Sequence, residues 1–188
     1  MKKFLIVLVL ILPEVAAQAS ALKMIKDIEG VYKQRFTNAM ITPGKAPLEA
    51  DQFFQSENII EVMRHDDQHI YLRAELNFYN GHTCSIYGIA RFEKNVFVYR
   101  APALSAENTQ ACTLTVTHTA DSLRISDRVQ HDGPATCRAY CGVRGSLSDL
   151  IFYNKTKRPI RYQDRIAKSR QYQTAVFKFK QAEEQKVN

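Results

Sequence analysis

From His69 to Phe78 the apolar residues Ile70, Leu72, Ala74, Leu76 and Phe78 alternate with His69, Tyr71, Arg73, Glu75 and Asn77. That is the period of a strand with one buried face, and a helix does not hold it. The alternation returns at Cys84, Ile86, Gly88, Ala90 and Phe92, at Val96 and Val98, at Cys112, Leu114 and Val116, and at Leu123 and Ile125. Asn80-Gly81, Glu93-Lys94-Asn95 and Ala120-Asp121 stand between these runs as turn signals. The pattern predicts a five-strand meander over His69 to Asp127. Val31 to Phe36, Asn58 to Arg64 and Leu150 to Tyr153 add one strand each, so the chain reads as mainly β, with about eight antiparallel strands. Short strands with one apolar face each, joined as a meander, close most simply into a small barrel, which leaves no open edge; a two-sheet sandwich is the alternative.

Outside the meander the pattern changes twice. Lys2 and Lys3, the apolar run Phe4 to Leu12, Pro13 and the small residues Ala16, Ala17, Ala19 and Ala21 have the form of a secretory signal peptide. The apolar run is about half the ~20 residues a membrane-spanning helix needs. Cleavage after Ala19 fits the small-residue rule, as does cleavage after Ala21. The expected organisation is therefore a signal peptide at 1–19, a barrel at 20–154 and a basic helical segment at 155–188 packed on the barrel. Leu22 to Ile28 predicts one or two helical turns ended by Gly30, and Asn38 to Ala50, with Pro43-Gly44 and Pro47, predicts a long loop. In the last segment Tyr162 and Ile166 share a helix face behind Pro159. Ser169 is placed to cap a second helix carrying Tyr172, Ala175, Val176 and Phe179 on one side, with a strand over Val176 to Lys180 as the other reading.

Charge changes the picture at Lys155. The 188-residue chain has a net charge of +7, which becomes +6 once the leader takes Lys2, Lys3 and Glu14 with it. From Lys155 to Lys180 nine basic residues face one acid, Asp164. Arg158, Arg161, Arg165 and Lys168 are the candidate anion-binding surface. Outside the cytoplasm its partner is a lipid headgroup or an acidic envelope glycan, not nucleic acid.

Export sets the reading of Cys84, Cys112, Cys137 and Cys141: an even number of cysteines in an oxidising compartment implies two disulfides. In an up-and-down meander Cys84 and Cys112 both begin strands at one end, to which the chain returns with Cys137 and Cys141. Either Cys84 pairs with Cys112, or Cys137 and Cys141 reach one each to Cys84 and Cys112 and rivet a loop across the barrel end; next-nearest strands lie too far apart for an easy direct bond, which favours the second. In that loop Tyr140, Gly142, Arg144 and Gly145 are the candidate ligand or partner residues, with the two glycines expected to supply positive φ. Catalytic alternatives are few. Cys141 activated by Arg138 or Arg144 is one, His118 as a base is another, and a zinc site of Cys137, Cys141, His131 and His118 fits no usual ligand spacing. No hydrolase, phosphate-loop or dinucleotide motif occurs in the chain. The expectation is a protein without catalytic residues, metal or cofactor.

Two stretches, Asn77 to Ala90 and the Cys-Gly-x-Arg-Gly core of Cys137 to Leu147, resemble a group of exported proteins of Gram-negative bacteria that carries no established activity to transfer. Gly30-Val31-Tyr32 at the start of the first strand is similar to the Gly-x-Trp opening of lipocalins, with tyrosine in the place of tryptophan. The resemblance implies a calycin-like barrel. Small barrels of this kind in the periplasm include carriers of apolar ligands and inhibitors of lysozyme-like hydrolases. The expected function is thus a periplasmic or secreted binding protein for an anionic or apolar ligand, or for a periplasmic protein. A hydrolase inhibitor is the second reading, opposed by like-charge repulsion from a basic enzyme, and an enzyme using Cys141 or His118 is the third.

Overall fold

The computed structural model describes residues 12–45, 52–101, 111–128 and 132–187. Residues 1–11 of the expected leader, 46–50 of the expected long loop and His131 lie outside these. In chain order the elements are helix α1 (Leu12–Ile28), strands β1 (Gly30–Met40), β2 (Gln52–Arg64), β3 (His69–Asn77), β4 (Thr83–Glu93), β5 (Val96–Ala101), β6 (Cys112–His118), β7 (Ser122–Ser126), β8 (Leu150–Tyr153) and β9 (Lys157–Arg158), then helices α2 (Gln163–Ala167) and α3 (Arg170–Val187). Neighbouring strands pair antiparallel in the order β8-β7-β6-β5-β4-β3-β2-β1-β9. Only a short turn, Asn154–Thr156, separates β8 from β9. One continuous stretch therefore pairs with β7 through Ser122 and Tyr153 and with β1 through Tyr32 and Lys157. That stretch brings the sheet round into a nearly closed barrel.

The residues expected to face inward on β3, β4, β6 and β7 do so. Ile70, Leu72, Ala74, Leu76, Ile86, Ala90, Leu114, Val116, Leu123 and Ile125 are buried together, and Ile25 and Ile28 of α1 join them as a plug. The Tyr32 hydroxyl donates to the Ile28 carbonyl at 2.9 Å and ties the plug to β1. β5 differs from the expectation by one residue: Phe97, Tyr99 and Ala101 face the core instead of Val96 and Val98. Lys94 and Asn95 both adopt positive φ, 48° and 66°, and form a two-residue turn that pairs Glu93 with Val96 and Phe92 with Phe97. Directly paired residues share a face. Phe97 must follow Phe92 inward, and their rings lie 5.2 Å apart.

β1 and β2 are longer than the hydrophobic pattern predicts. They pair from Gly30 with Val62 out to Met40 with Gln52, whereas β3 pairs with β2 only over Ile59–Arg64. The outer half is a two-stranded ribbon standing beyond the barrel, mostly polar because it has no core on either side, and so without alternation to read.

A second core lies outside the barrel. Val31, Met63, Tyr71 and Ile89 are buried against Ile160, Ile166 and Ala175 of the C-terminal segment, with Tyr162, Tyr172, Val176 and Phe179 around them. Val176 to Lys180 is helix, not strand. Ser169 caps it as expected, its Oγ accepting from the Tyr172 N–H at 3.2 Å. Pro159 does not open a helix; it follows β9, whose pairing with β1 fixes the chain as extended there, and α2 starts at Gln163. Beneath these helices Glu61, 1% exposed, accepts hydrogen bonds from Arg73 and from the Tyr162 hydroxyl, and Arg73 donates to Gln171 at 2.9 Å.

Candidate ligand site at the barrel mouth

The interior leaves little room for a ligand. Phe97, Leu114 and Phe152 are at most 2% exposed, and a Cβ built on Gly88 would lie 2.0 Å from the Tyr99 ring. A cleft opens instead at the ribbon end, where the four cysteines meet.

Cys84 pairs with Cys141 and Cys112 with Cys137, so the loop is riveted across the barrel end. The Gly142 N–H donates to the Thr83 carbonyl at 2.8 Å and continues the anchoring. Asp127 holds the other side: 1% exposed, it accepts from the Cys137 N–H at 3.0 Å and the Ser148 hydroxyl at 2.6 Å. Nothing in the local sequence singles out that aspartate.

The four loop residues separate into roles. Gly142 and Gly145 do not take positive φ, which among described glycines occurs at Gly30, Gly44 and Gly81. Close approach is the reason they are glycine. A Cβ on Gly145 would lie 2.6 Å from the Cys84 sulfur, and one on Gly142 would lie 3.0 Å from His82 Nδ1. Tyr140 is half-buried and bonded to the Tyr99 hydroxyl, and burial raises its pKa. Arg144 alone is presented to solvent as a charged group, its guanidinium 5.6 Å from the centre of the Tyr79 ring.

Tyr79 belongs to the wall of a cleft of about 620 Å³ between the ribbon and the turn after β3. Phe36, Phe53, Phe78 and Tyr79 supply its apolar lining, and Asn58 and Asn77 its polar groups. Amides build this wall. The Asn77 N–H donates to Asn58 Oδ1 at 2.7 Å, Asn77 Nδ2 to the Glu57 carbonyl at 2.8 Å, and Asn38 Nδ2 to the Phe78 carbonyl at 3.0 Å. Asn80, at φ 60°, turns the chain so that Phe78 and Tyr79 lie along the ribbon. Sequence reasoning missed these aromatics; two consecutive aromatic residues ahead of Asn80-Gly81 are the signal that was there.

The other candidates lie elsewhere. β6 runs away from Cys112 to His118, which sits at the plugged end, 3.3 Å from Asn154 Nδ2. Burial lowers the pKa of His118, opposed by Asp27 and reinforced by Lys157 and Lys23. It is not brought to Cys141, and Cys141 has no thiol to activate because it is half of a disulfide. Among the described residues no group of three or more metal-ligating side chains could hold an ion. Arg158, Arg161, Arg165 and Lys168 are all exposed and make no ion pair among the described residues; Arg165 lies 4.7 Å over the Tyr162 ring. No protein-family model matches the chain, and neither does any curated protein or solved structure.

Proposed function

We propose that the chain is a non-catalytic, exported binding protein of the bacterial envelope, and that its barrel mouth holds an amphiphilic anion. The supporting observation is the placement of Arg144 over Tyr79 at the rim of an aromatic cleft. Apolar chain or ring lies along Phe36, Phe78 and Tyr79, and the charged head meets the guanidinium, which offers several N–H donors in one plane. Two disulfides fit an oxidising compartment. No described helix is long and apolar enough to cross a membrane.

Calorimetric titration of the mature chain with dodecyl phosphate and with dodecanol tests the reading. Binding of both is expected, with the phosphate favoured. Arg144→Gln should weaken dodecyl phosphate about tenfold, corresponding to ~1.4 kcal/mol, and leave dodecanol unchanged. Failure of both ligands to bind at millimolar concentration, or equal loss for both in the variant, overturns it.

A further inference from the structure

Away from the mouth, two histidines lie under α3, His65 in the turn between β2 and β3 and His69 at the start of β3. His65 Nδ1 lies 2.9 Å from the Tyr172 hydroxyl, and its ring meets the edge of Phe179 at 6.0 Å. His69 packs on the same Phe179 ring at 4.8 Å; its Nδ1 lies 2.8 Å from Asp66 and its Nε2 accepts from Arg91 Nε at 3.2 Å. Arg91 in turn pairs with Glu183 of α3. The turn thus reaches α3 through one aromatic ring, one hydroxyl and one ion pair.

We propose that His65 is an acid-sensitive latch, which holds α3 on the barrel while its imidazole is neutral and loosens it when the ring takes up a proton. The geometry supplies the cause: a charged imidazole would be held half-buried against Phe179, with Lys180 of α3 and the His69 ring nearby. Asp66, in the same turn, opposes this, and is itself shared with His69. Arg64 is neutralised by Asp67, while Glu29 and Asp164 line the adjoining cleft. The balance lowers the His65 pKa below its ordinary 6.5: burial comes first, opposed by Asp66 and reinforced by His69 and then Lys180. A group depressed in the docked state binds protons better once released. The docking it supports is therefore complete above about 6.5 and lost as the pH falls through the docked value. Release would uncover Tyr71, Met63 and Ile89 on the barrel and leave the barrel core intact, because the two cores share no buried residue. The inference is independent of any ligand at the mouth.

Amide hydrogen exchange on the mature chain at pH 7.5 and 5.0, corrected for intrinsic rates, reads the latch directly. Protection of α3 relative to β3 should fall at least about threefold at the lower pH, and His65→Gln, uncharged at both, should remove that fall. No fall in the native chain, or an equal fall in the variant, overturns the proposal. If the variant does not hold α3 even at pH 7.5, the His65 titration in the native protein decides: a midpoint at or above about 6.5 overturns the latch, and a midpoint below it upholds the latch.

Discussion

Gly88 shows how one missing methyl group sets the inside of the barrel. It lies in the inward register of β4, between Ile86 and Ala90, and the Tyr99 ring from β5 fills the space a side chain would take. Tyr99 is held there in turn by its bond to Tyr140 behind the disulfide loop. Gly88→Ala is expected to destabilise the protein by about 1 to 3 kcal/mol, as overpacking a filled core does. Urea titration would show it as a lower midpoint at unchanged slope; a midpoint equal to that of the native chain would mean the ring moves aside freely. That Gly88 faces inward is legible in the alternation of its strand. What it faces is not, because the ring arrives from another strand whose register depends on a turn.

At the level of elements, that turn is the instructive case. Glu93-Lys94-Asn95 reads as a turn from composition, but only its two-residue length decides that Phe97 rather than Val96 continues the inner face. The outer ribbon was invisible for a different reason: alternation reports a core, and Gln52 to Gln55 are all exposed. The cysteine loop was legible as a rivet because strand direction and spacing constrain cysteines strongly. Its partner Asp127 was not, since its role comes from a backbone N–H ten residues away and a serine hydroxyl twenty-one residues away. α1 carries a consequence for processing. Residues 17–20 are exposed, while Ala21 is fully buried and Ile25 and Ile28 enter the core. Were a leader removed between Ala19 and Ser20, as the sequence pattern predicts, Ala21, Ile25 and Ile28 would all stay in the chain. Mass spectrometry of the exported protein is expected to find Ser20 at the amino terminus, and a chain beginning at Leu22 would contradict this reading of the plug.

For the molecule as a whole, charge and apolar surface are sorted to different places. The C-terminal segment turns its apolar stripe to the barrel and leaves Arg158, Arg161, Arg165 and Lys168 in water. Near an anionic bilayer each such side chain is worth about 1 kcal/mol, falling off over a screening length of about 10 Å at 0.1 M salt. Weak, salt-sensitive binding to vesicles rich in an anionic lipid is the expected outcome. Replacing all four by Gln should abolish it with the thermal unfolding midpoint unchanged. Undiminished binding by that variant in a sedimentation assay, or indifference to salt, would exclude an electrostatic surface. The barrel class was legible from strand count and one-sided burial, and so was the helical half of the second core, whereas the barrel half was not: Tyr71 and Arg73 sit at the polar positions of their strand and are covered only because a distant helix folds back.

The closing stretch of the barrel also dictates an order of events. β1 is the first strand, yet its free side is paired only by Lys157 and Arg158, near the far end of the chain. Contacts of such high sequence separation form late, because the whole intervening chain must already be ordered to bring the ends together. While the polypeptide emerges from its amino terminus, the meander can assemble strand by strand, β1 on β2 included, but the other edge of β1 waits. Completion of the sheet is thereby a report that the chain has arrived at least as far as Arg158.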